Sequence, residues 1–91
     1  MDEQWRNLTL PMYVEEPFVT AWVRRAVAEL PSGSRVLEIG CSPGAFLFTM
    51  AVRGYAVHGQ EAAEGVCQDI AKLTGLPRES FTAGLFPQVA P

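Results

Sequence analysis

The stretch Val36-Leu37-Glu38-Ile39-Gly40-Cys41-Ser42-Pro43-Gly44 decides the fold of this 91-residue chain. It begins within the short apolar run Arg35–Ile39, which is typical of a buried strand. Small residues then form a loop at positions 40–44, and residues 45–53 have the apolar pattern of a helix. A strand that leads through a glycine-rich loop into a helix lets the backbone approach a ligand closely and offers free N–H groups. We therefore predict a ligand-binding loop at residues 40–44.

Further helices and strands are predicted on both sides of this loop. Apolar residues recur every four positions across residues 17–30, which predicts an amphipathic helix. The residues that recur are Phe18, Trp22, Ala26 and Leu30, and Val19, Val23 and Val27 flank them. Strands are predicted at residues 55–59 and 81–83, with a helix at 62–74 between them. The alternation of strands and helices predicts parallel β-α-β crossovers and therefore an α/β, Rossmann-like fold.

The composition excludes several classes of protein. Apolar residues make up 48% of the chain and charged residues 19%, which indicates one small globular domain rather than a disordered segment. The net charge is −3 and the seven Lys and Arg residues are dispersed, so no nucleic-acid partner is expected. The longest apolar run, residues 45–52, is too short to cross a bilayer, and no membrane partner is expected.

Cysteine content and the N-terminus suggest the cellular setting. Cys41 and Cys67 form neither a disulfide framework nor a CxxC motif, so no metal site is predicted. The chain begins Met-Asp-Glu and lacks the charged and apolar regions of a secretory signal. A reduced, cytoplasmic location is the expectation.

Two acidic residues point to the chemistry of the ligand. Glu38 lies in the predicted strand, two residues before Gly40, where a carboxylate would repel a pyrophosphate but suits a ligand with a positive amino group. Glu61 follows the second strand, and an acid about 20 residues beyond a glycine loop is placed to bind ribose hydroxyls. The alternative interpretations are structural: Glu38 would cap the following helix, and Glu61 would lie in the first turn of the next one.

Both acidic segments resemble motifs of the class I S-adenosylmethionine-dependent methyltransferases. Motif I of that family has two apolar residues, an acid, another apolar residue and Gly-x-Gly-x-Gly. Glu38 falls on the acidic position, while Gly40 and Gly44 fall on the first and last glycines. Ser42 stands at the middle glycine, which departs from the pattern. Val57-His58-Gly59-Gln60-Glu61 is similar to the family's Val-x-Gly-x-Asp/Glu at the end of strand two.

The resemblance implies a fold and a cofactor. The fold would be a Rossmann-like three-layer α/β/α arrangement with a partial parallel sheet of about three strands in the order 3-2-1. Residues 17–91 would be the N-terminal half of a methyltransferase domain whose C-terminal half is absent. Residues 1–16 lack a clear apolar period, and we interpret them as an N-terminal arm. The cofactor would be S-adenosylmethionine. The residues implied to bind it are Glu38, Gly40, Cys41, Ser42, Gly44, Gln60, Glu61 and Ala62. No catalytic residue is assigned.

We predict that the chain is the cofactor-binding portion of a methyltransferase and that this portion is inactive alone. One alternative is a non-catalytic interaction module with a degenerate methyltransferase fold. Another is a nicotinamide-binding half-domain, whose G-x-G-x-x-G would fall on Gly40, Ser42 and Ala45 with two departures. No acid follows the third strand to meet an adenine amino group, although Leu85 or Phe86 could lie against the ring. The first strand would have an unpaired edge, which favours self-association or a partner chain.

Overall fold

The computed structural model describes residues 17–90, in which helices and strands alternate. The elements are α1 (Pro17–Glu29), β1 (Arg35–Ile39), α2 (Ala45–Val52), β2 (Ala56–Glu61), α3 (Glu64–Thr74), a 3-10 turn (Arg78–Ser80) and β3 (Phe81–Ala83). The predicted order of elements is confirmed. The second strand starts one residue later than predicted and continues to Glu61. The proposed arm, residues 1–16, and Pro91 lie outside the described residues.

The three strands form one parallel sheet in the order β1-β2-β3. Arg35 pairs with Ala56 at the start of the first ladder, and Gly59 pairs with Phe81 in the second. The expectation of a partial, Rossmann-like α/β fold is therefore confirmed. β2 is the central strand of the described sheet, and its carboxyl end lies between those of its two neighbours.

All three helices pack against the same face of the sheet. Two consecutive β-α-β crossovers place their helices on the same side of the sheet when both are right-handed and each new strand is added in the same direction. Val36 and Val57 point toward this side and contact both groups of buried residues. One group consists of Val19, Val23, Ala45, Met50 and Tyr55, and the other of Cys41, Leu47, Cys67, Ile70 and Phe81. The core of the described residues therefore lies between this face and the helices.

The opposite face of the sheet is largely open. Leu37 and Ile39 alternate with the inward-facing residues of β1 and are 46% and 51% exposed. On the neighbouring strands, His58 Nε2 and Thr82 Oγ1 form a hydrogen bond of 2.7 Å. Within residues 17–90 the structure therefore contains the sheet and one of the two helical layers of the expected three-layer α/β/α arrangement.

Helix α1 buries a different stripe from the one that its period of four suggests. Phe18 and Trp22 are 53% and 52% exposed, whereas Val19 and Val23 are each only 5% exposed. The valines pack with Ala45 and Tyr55 in the core. Short, β-branched side chains allow α1 to lie close to α2, while the larger aromatic rings remain at the edge of this contact.

Candidate functional site

The glycine loop lies at the carboxyl end of β1, and two of its glycines are required by geometry. Gly40 has a φ of +74°, and its N–H donates to the carbonyl oxygen of Gln60 at 2.8 Å. Gly44 has a φ of +94°, and a Cβ there would lie 2.8 Å from side-chain carbons of both Ile70 and Thr74. The loop can turn sharply and pack against α3 only because these positions have no side chain.

Glu61 connects the end of β2 to this loop. Its Oε1 accepts a hydrogen bond of 2.6 Å from the backbone N–H of Ser42. The structure therefore brings together the acid and the loop that the sequence analysis singled out separately. A carboxylate has further acceptor sites on its two oxygens, so Glu61 retains capacity for a ligand while it holds the loop.

Glu38 is a half-buried carboxylate with an unsatisfied oxygen. Its Oε1 is buried and has no hydrogen-bond donor among residues 17–90. Two effects raise the pKa of Glu38 from 4.5 to about 7: burial, which is the larger, and the negative charge of Glu61. A buried acceptor without a donor typically costs about 1–3 kcal/mol, so a positively charged donor at this position would be strongly favoured.

Two adjoining clefts surround the loop. The first is about 250 Å³ and the second about 240 Å³, and Ile39 and Gly40 contribute to both. The first is lined by Phe18, Val19, Trp22, Glu38, Ile39, Gly40, Cys41, Ser42, Pro43, Ala45 and Phe46. The second is lined by Ile39, Gly40, Gln60, Glu61, Ala62, Gly84, Leu85 and Phe86.

The predicted site residues divide between these two clefts. Glu38, Cys41 and Ser42 line the first cleft, and Gln60, Glu61 and Ala62 line the second. Gly40 stands where the two clefts meet. Gly44 is the exception: it lies behind the loop against α3, where its role is to allow close packing.

Aromatic residues of the first cleft were not predicted as site residues. The rings of Phe18 and Trp22 meet edge-on with centroids 5.3 Å apart, and Trp22 meets Phe46 at 6.5 Å. All three line the cleft that contains Glu38. The sequence did contain a signal for this aromatic wall. Helix α1 has aromatic residues four positions apart and a separate row of valines, which together make it more apolar than one buried face requires.

The cysteines fill space in the core rather than supply a nucleophile. Cys41 and Cys67 are 3% and 0% exposed. Burial raises the pKa of the Cys41 thiol to about 12, with further contributions from the charges of Glu61 and Glu38. Among residues 17–90, no group of His, Cys, Asp and Glu side chains is arranged to hold a metal ion. None of the helices in this range has the length and hydropathy needed to cross a membrane.

Comparison with known proteins gives one set of relatives. No protein-family model and no solved structure matches the chain. Ubiquinone biosynthesis O-methyltransferases of Bordetella parapertussis and Bordetella bronchiseptica are each 38% identical to it over 66 residues. The match covers 72% of this chain but only 27% of each relative, so the chain spans about a quarter of the length of these proteins. The similarity supports a methyltransferase.

The acceptors that line the two clefts fit the cofactor that methyltransferases generally use. Glu38 lines the first cleft and has a carboxylate oxygen without a donor among residues 17–90, which suits an ammonium group. Glu61 presents carboxylate oxygens in the adjoining cleft, as vicinal hydroxyls require. Leu85 and Phe86 supply an apolar wall beside Glu61. The residues present therefore fit an amino acid joined to a nucleoside.

Proposed function

We propose that this chain binds S-adenosylmethionine as the cofactor-binding part of a methyltransferase. One observation carries the proposal: Glu38 lines a cleft beside a glycine loop, and its buried Oε1 has no donor among residues 17–90. An anionic dinucleotide would be repelled by this carboxylate, whereas an α-ammonium group would form a charge-assisted hydrogen bond with it. The similarity to O-methyltransferases independently supports the same family of reactions.

The first cleft would hold the amino acid end of the cofactor. Glu38 binds the ammonium group, and the backbone of the loop at Gly40 lies against the ligand because it has no side chain there. Trp22 and Phe46 form an apolar wall of the same cleft. This wall limits access of water to the Glu38 carboxylate and strengthens its interaction with a positive charge.

The second cleft would hold the nucleoside end. Glu61 accepts hydrogen bonds from the ribose hydroxyls while its Oε1 continues to accept the N–H of Ser42. Leu85 and Phe86 pack against the base. Because Gly40 borders both clefts, an extended ligand passes over the loop from one to the other.

The chain's contribution to the reaction would be orientation of the cofactor. When bound, the cofactor supplies an activated methyl group, and no side chain of the site needs to accept or donate a proton for that purpose. Methyl transfer also requires an acceptor held in line with the methyl donor, and much of its rate comes from this proximity. We therefore propose that the chain alone binds cofactor but does not turn over.

Calorimetry with S-adenosylhomocysteine tests this assignment. We expect the 91-residue chain to bind it, and Glu61→Ala to weaken binding by roughly 5- to 150-fold through the loss of about 1–3 kcal/mol of hydrogen bonding. Glu38→Gln should also weaken binding, because a neutral amide attracts an ammonium group less than a carboxylate does. Glu79→Ala is the matched control, since Glu79 is exposed and lies outside both clefts.

The same titration separates the competing functions. Binding of NAD in preference to S-adenosylhomocysteine would favour the nicotinamide-binding interpretation. Absence of binding by a chain whose circular dichroism shows a folded α/β protein would favour the interaction module. Equal affinities for the wild type and Glu61→Ala would contradict the role assigned to Glu61.

A further inference from the structure

The buried side-chain amide of Gln60 has hydrogen-bond partners for its nitrogen but, among residues 17–90, none for its oxygen. Its side chain is 1% exposed. Nε2 donates to the carbonyl oxygens of Gly84 at 3.2 Å and Val89 at 2.6 Å, which uses both amide protons. Because both partners are acceptors, the orientation of the amide is fixed. Its Oε1 is buried and has no donor among residues 17–90.

This amide lies at the nucleoside end of the candidate site. Gln60 lines the second cleft together with its neighbour Glu61 and with the wall formed by Leu85 and Phe86. Two backbone acceptors of that wall are already engaged, since the Gly84 carbonyl accepts from Gln60 and the Leu85 carbonyl accepts from Val89 N–H at 2.8 Å. No acidic side chain occurs between Phe81 and Val89. Glu61 and Gln60 are therefore the two residues lining this cleft whose side chains have acceptor oxygens, and Gln60 Oε1 is the one without a donor among residues 17–90.

We infer that Gln60 Oε1 accepts a hydrogen bond from the exocyclic amino group of the base and so selects an adenine nucleoside over its 6-oxo counterpart. The inference rests on the proposed function, because it assumes that a nucleoside occupies the second cleft. A 6-oxo base presents a carbonyl oxygen at the same position. Two acceptors would then face each other, and the site would reject the analogue.

The lining around Gln60 Oε1 has to open for this contact to form. Oε1 is out of reach of water in the present arrangement. Leu85 and Phe86 are 65% and 51% exposed, so they can move outward without opening the core. The two polar atoms of the Gln60 amide thus have different roles. Nε2 holds the segment after β3 by hydrogen bonds, and Oε1 recognises the base.

Binding of S-adenosylhomocysteine and S-inosylhomocysteine to the 91-residue chain tests the inference. We expect the wild type to prefer the adenosyl compound by at least about tenfold, as the loss of one hydrogen bond to a buried group predicts. Gln60→Leu removes donor and acceptor together and should reduce the preference to about twofold or less. Gln60→Glu keeps an acceptor but removes the amide donors, and it should retain the preference. Gln68→Leu, an exposed position on α3, is the control and should leave the preference unchanged.

Each remaining outcome has a definite consequence. If both Gln60 variants lose the preference equally, the segment held by Nε2 selects the base and the inference is wrong. A wild type that binds both compounds equally also overturns it but leaves the proposed function intact. A folded wild type that binds neither compound overturns both. Circular dichroism of every variant identifies those that fail to fold, and Gln60→Met, which fills similar space without an amide, then replaces Gln60→Leu.

Discussion

Glu38 couples the ionisation of the site to the stability of the fold. Its folded-state pKa of about 7 lies above the ordinary value of 4.5, because burial and the charge of Glu61 disfavour the carboxylate. The folded chain therefore holds this proton more tightly than the unfolded chain does. Glu38 favours the folded state below its ordinary pKa, and this contribution is lost as the pH rises from 4.5 to about 7.

Replacement of Glu38 by a neutral amide should remove this dependence. We expect Glu38→Gln to be more stable than the wild type at about pH 8, and the difference to disappear toward about pH 4. Urea unfolding monitored by circular dichroism across this range measures the effect. A stability difference that stays constant with pH would contradict it.

Glu64 provides a control of opposite sign. Hydrogen bonding to Arg78 lowers the pKa of Glu64, so its contribution to stability is present above its ordinary pKa and lost as the pH falls. Glu64→Gln should therefore be less stable than the wild type near neutral pH and equal to it in acid. The effect should be small, because both partners of this ion pair are substantially exposed.

Individual residues show what the sequence could and could not predict. Glu38, Gly40 and Glu61 could be singled out as candidates because their spacing along the chain reflects a strand-loop-helix geometry that recurs in many ligand sites. The hydrogen bond between Glu61 and Ser42 could not be predicted, because it depends on the rotamer of one side chain. The unsatisfied oxygen of Gln60 was equally hidden, since it depends on how residues 84–89 turn back over the sheet.

At the level of elements, β2 and α3 each contain a glycine with a different role. In β2, a Cβ at Gly59 would lie 2.6 Å from Cys41 Sγ and 2.9 Å from carbons of both Leu47 and Phe81. In α3, a Cβ at Gly65 would meet nothing within 4 Å. The strand glycine is therefore required by packing, whereas the helix glycine is not.

Alanine at these two positions should have effects of opposite sign. Gly59→Ala should destabilise the fold by about 1–3 kcal/mol through overpacking. Gly65→Ala should stabilise it by roughly 0.5–1 kcal/mol, because alanine loses less backbone entropy in a helix. Denaturant unfolding of both variants measures the difference. Equal stability of Gly59→Ala and the wild type would show that β2 and α2 do not approach as closely as described.

Helix α1 shows why periodicity locates an element better than it orients one. The recurrence of apolar residues predicted the helix itself, and the structure has it at Pro17–Glu29. Two adjacent apolar stripes were available, however, and the pattern alone could not decide which one is buried. The choice of Val19 and Val23 depends on the shape of α2 and Tyr55, which belong to other parts of the chain.

On the scale of the whole molecule, one face of the sheet and the outer edge of β1 remain uncovered within residues 17–90. β1 pairs with β2 on one side only, and neither Pro nor Lys interrupts its other edge. A shallow groove of about 430 Å³ adjoins Leu37 and His58 on the open face. Apolar side chains beside an unpaired strand edge favour association with another chain.

We expect the isolated 91-residue chain to self-associate through this surface. Leu37→Lys should shift sedimentation toward the monomer, because it places a charge on the open face of the edge strand. Val52→Lys is the control, since Val52 is 70% exposed on α2, away from the sheet. A wild type that remains monomeric at every concentration would contradict this expectation, as would an equal effect of both substitutions.

The order of the sheet also bears on how the chain folds during synthesis. Each strand pairs with the one made just before it, as Arg35 with Ala56 and Gly59 with Phe81 show. Ribosomes deliver residues from the N-terminus onward, so each new strand finds its template already present. The sheet can therefore grow outward in step with translation. The described residues that line the first cleft, from Phe18 to Phe46, are all made before β2, whereas the second cleft is completed only after β3.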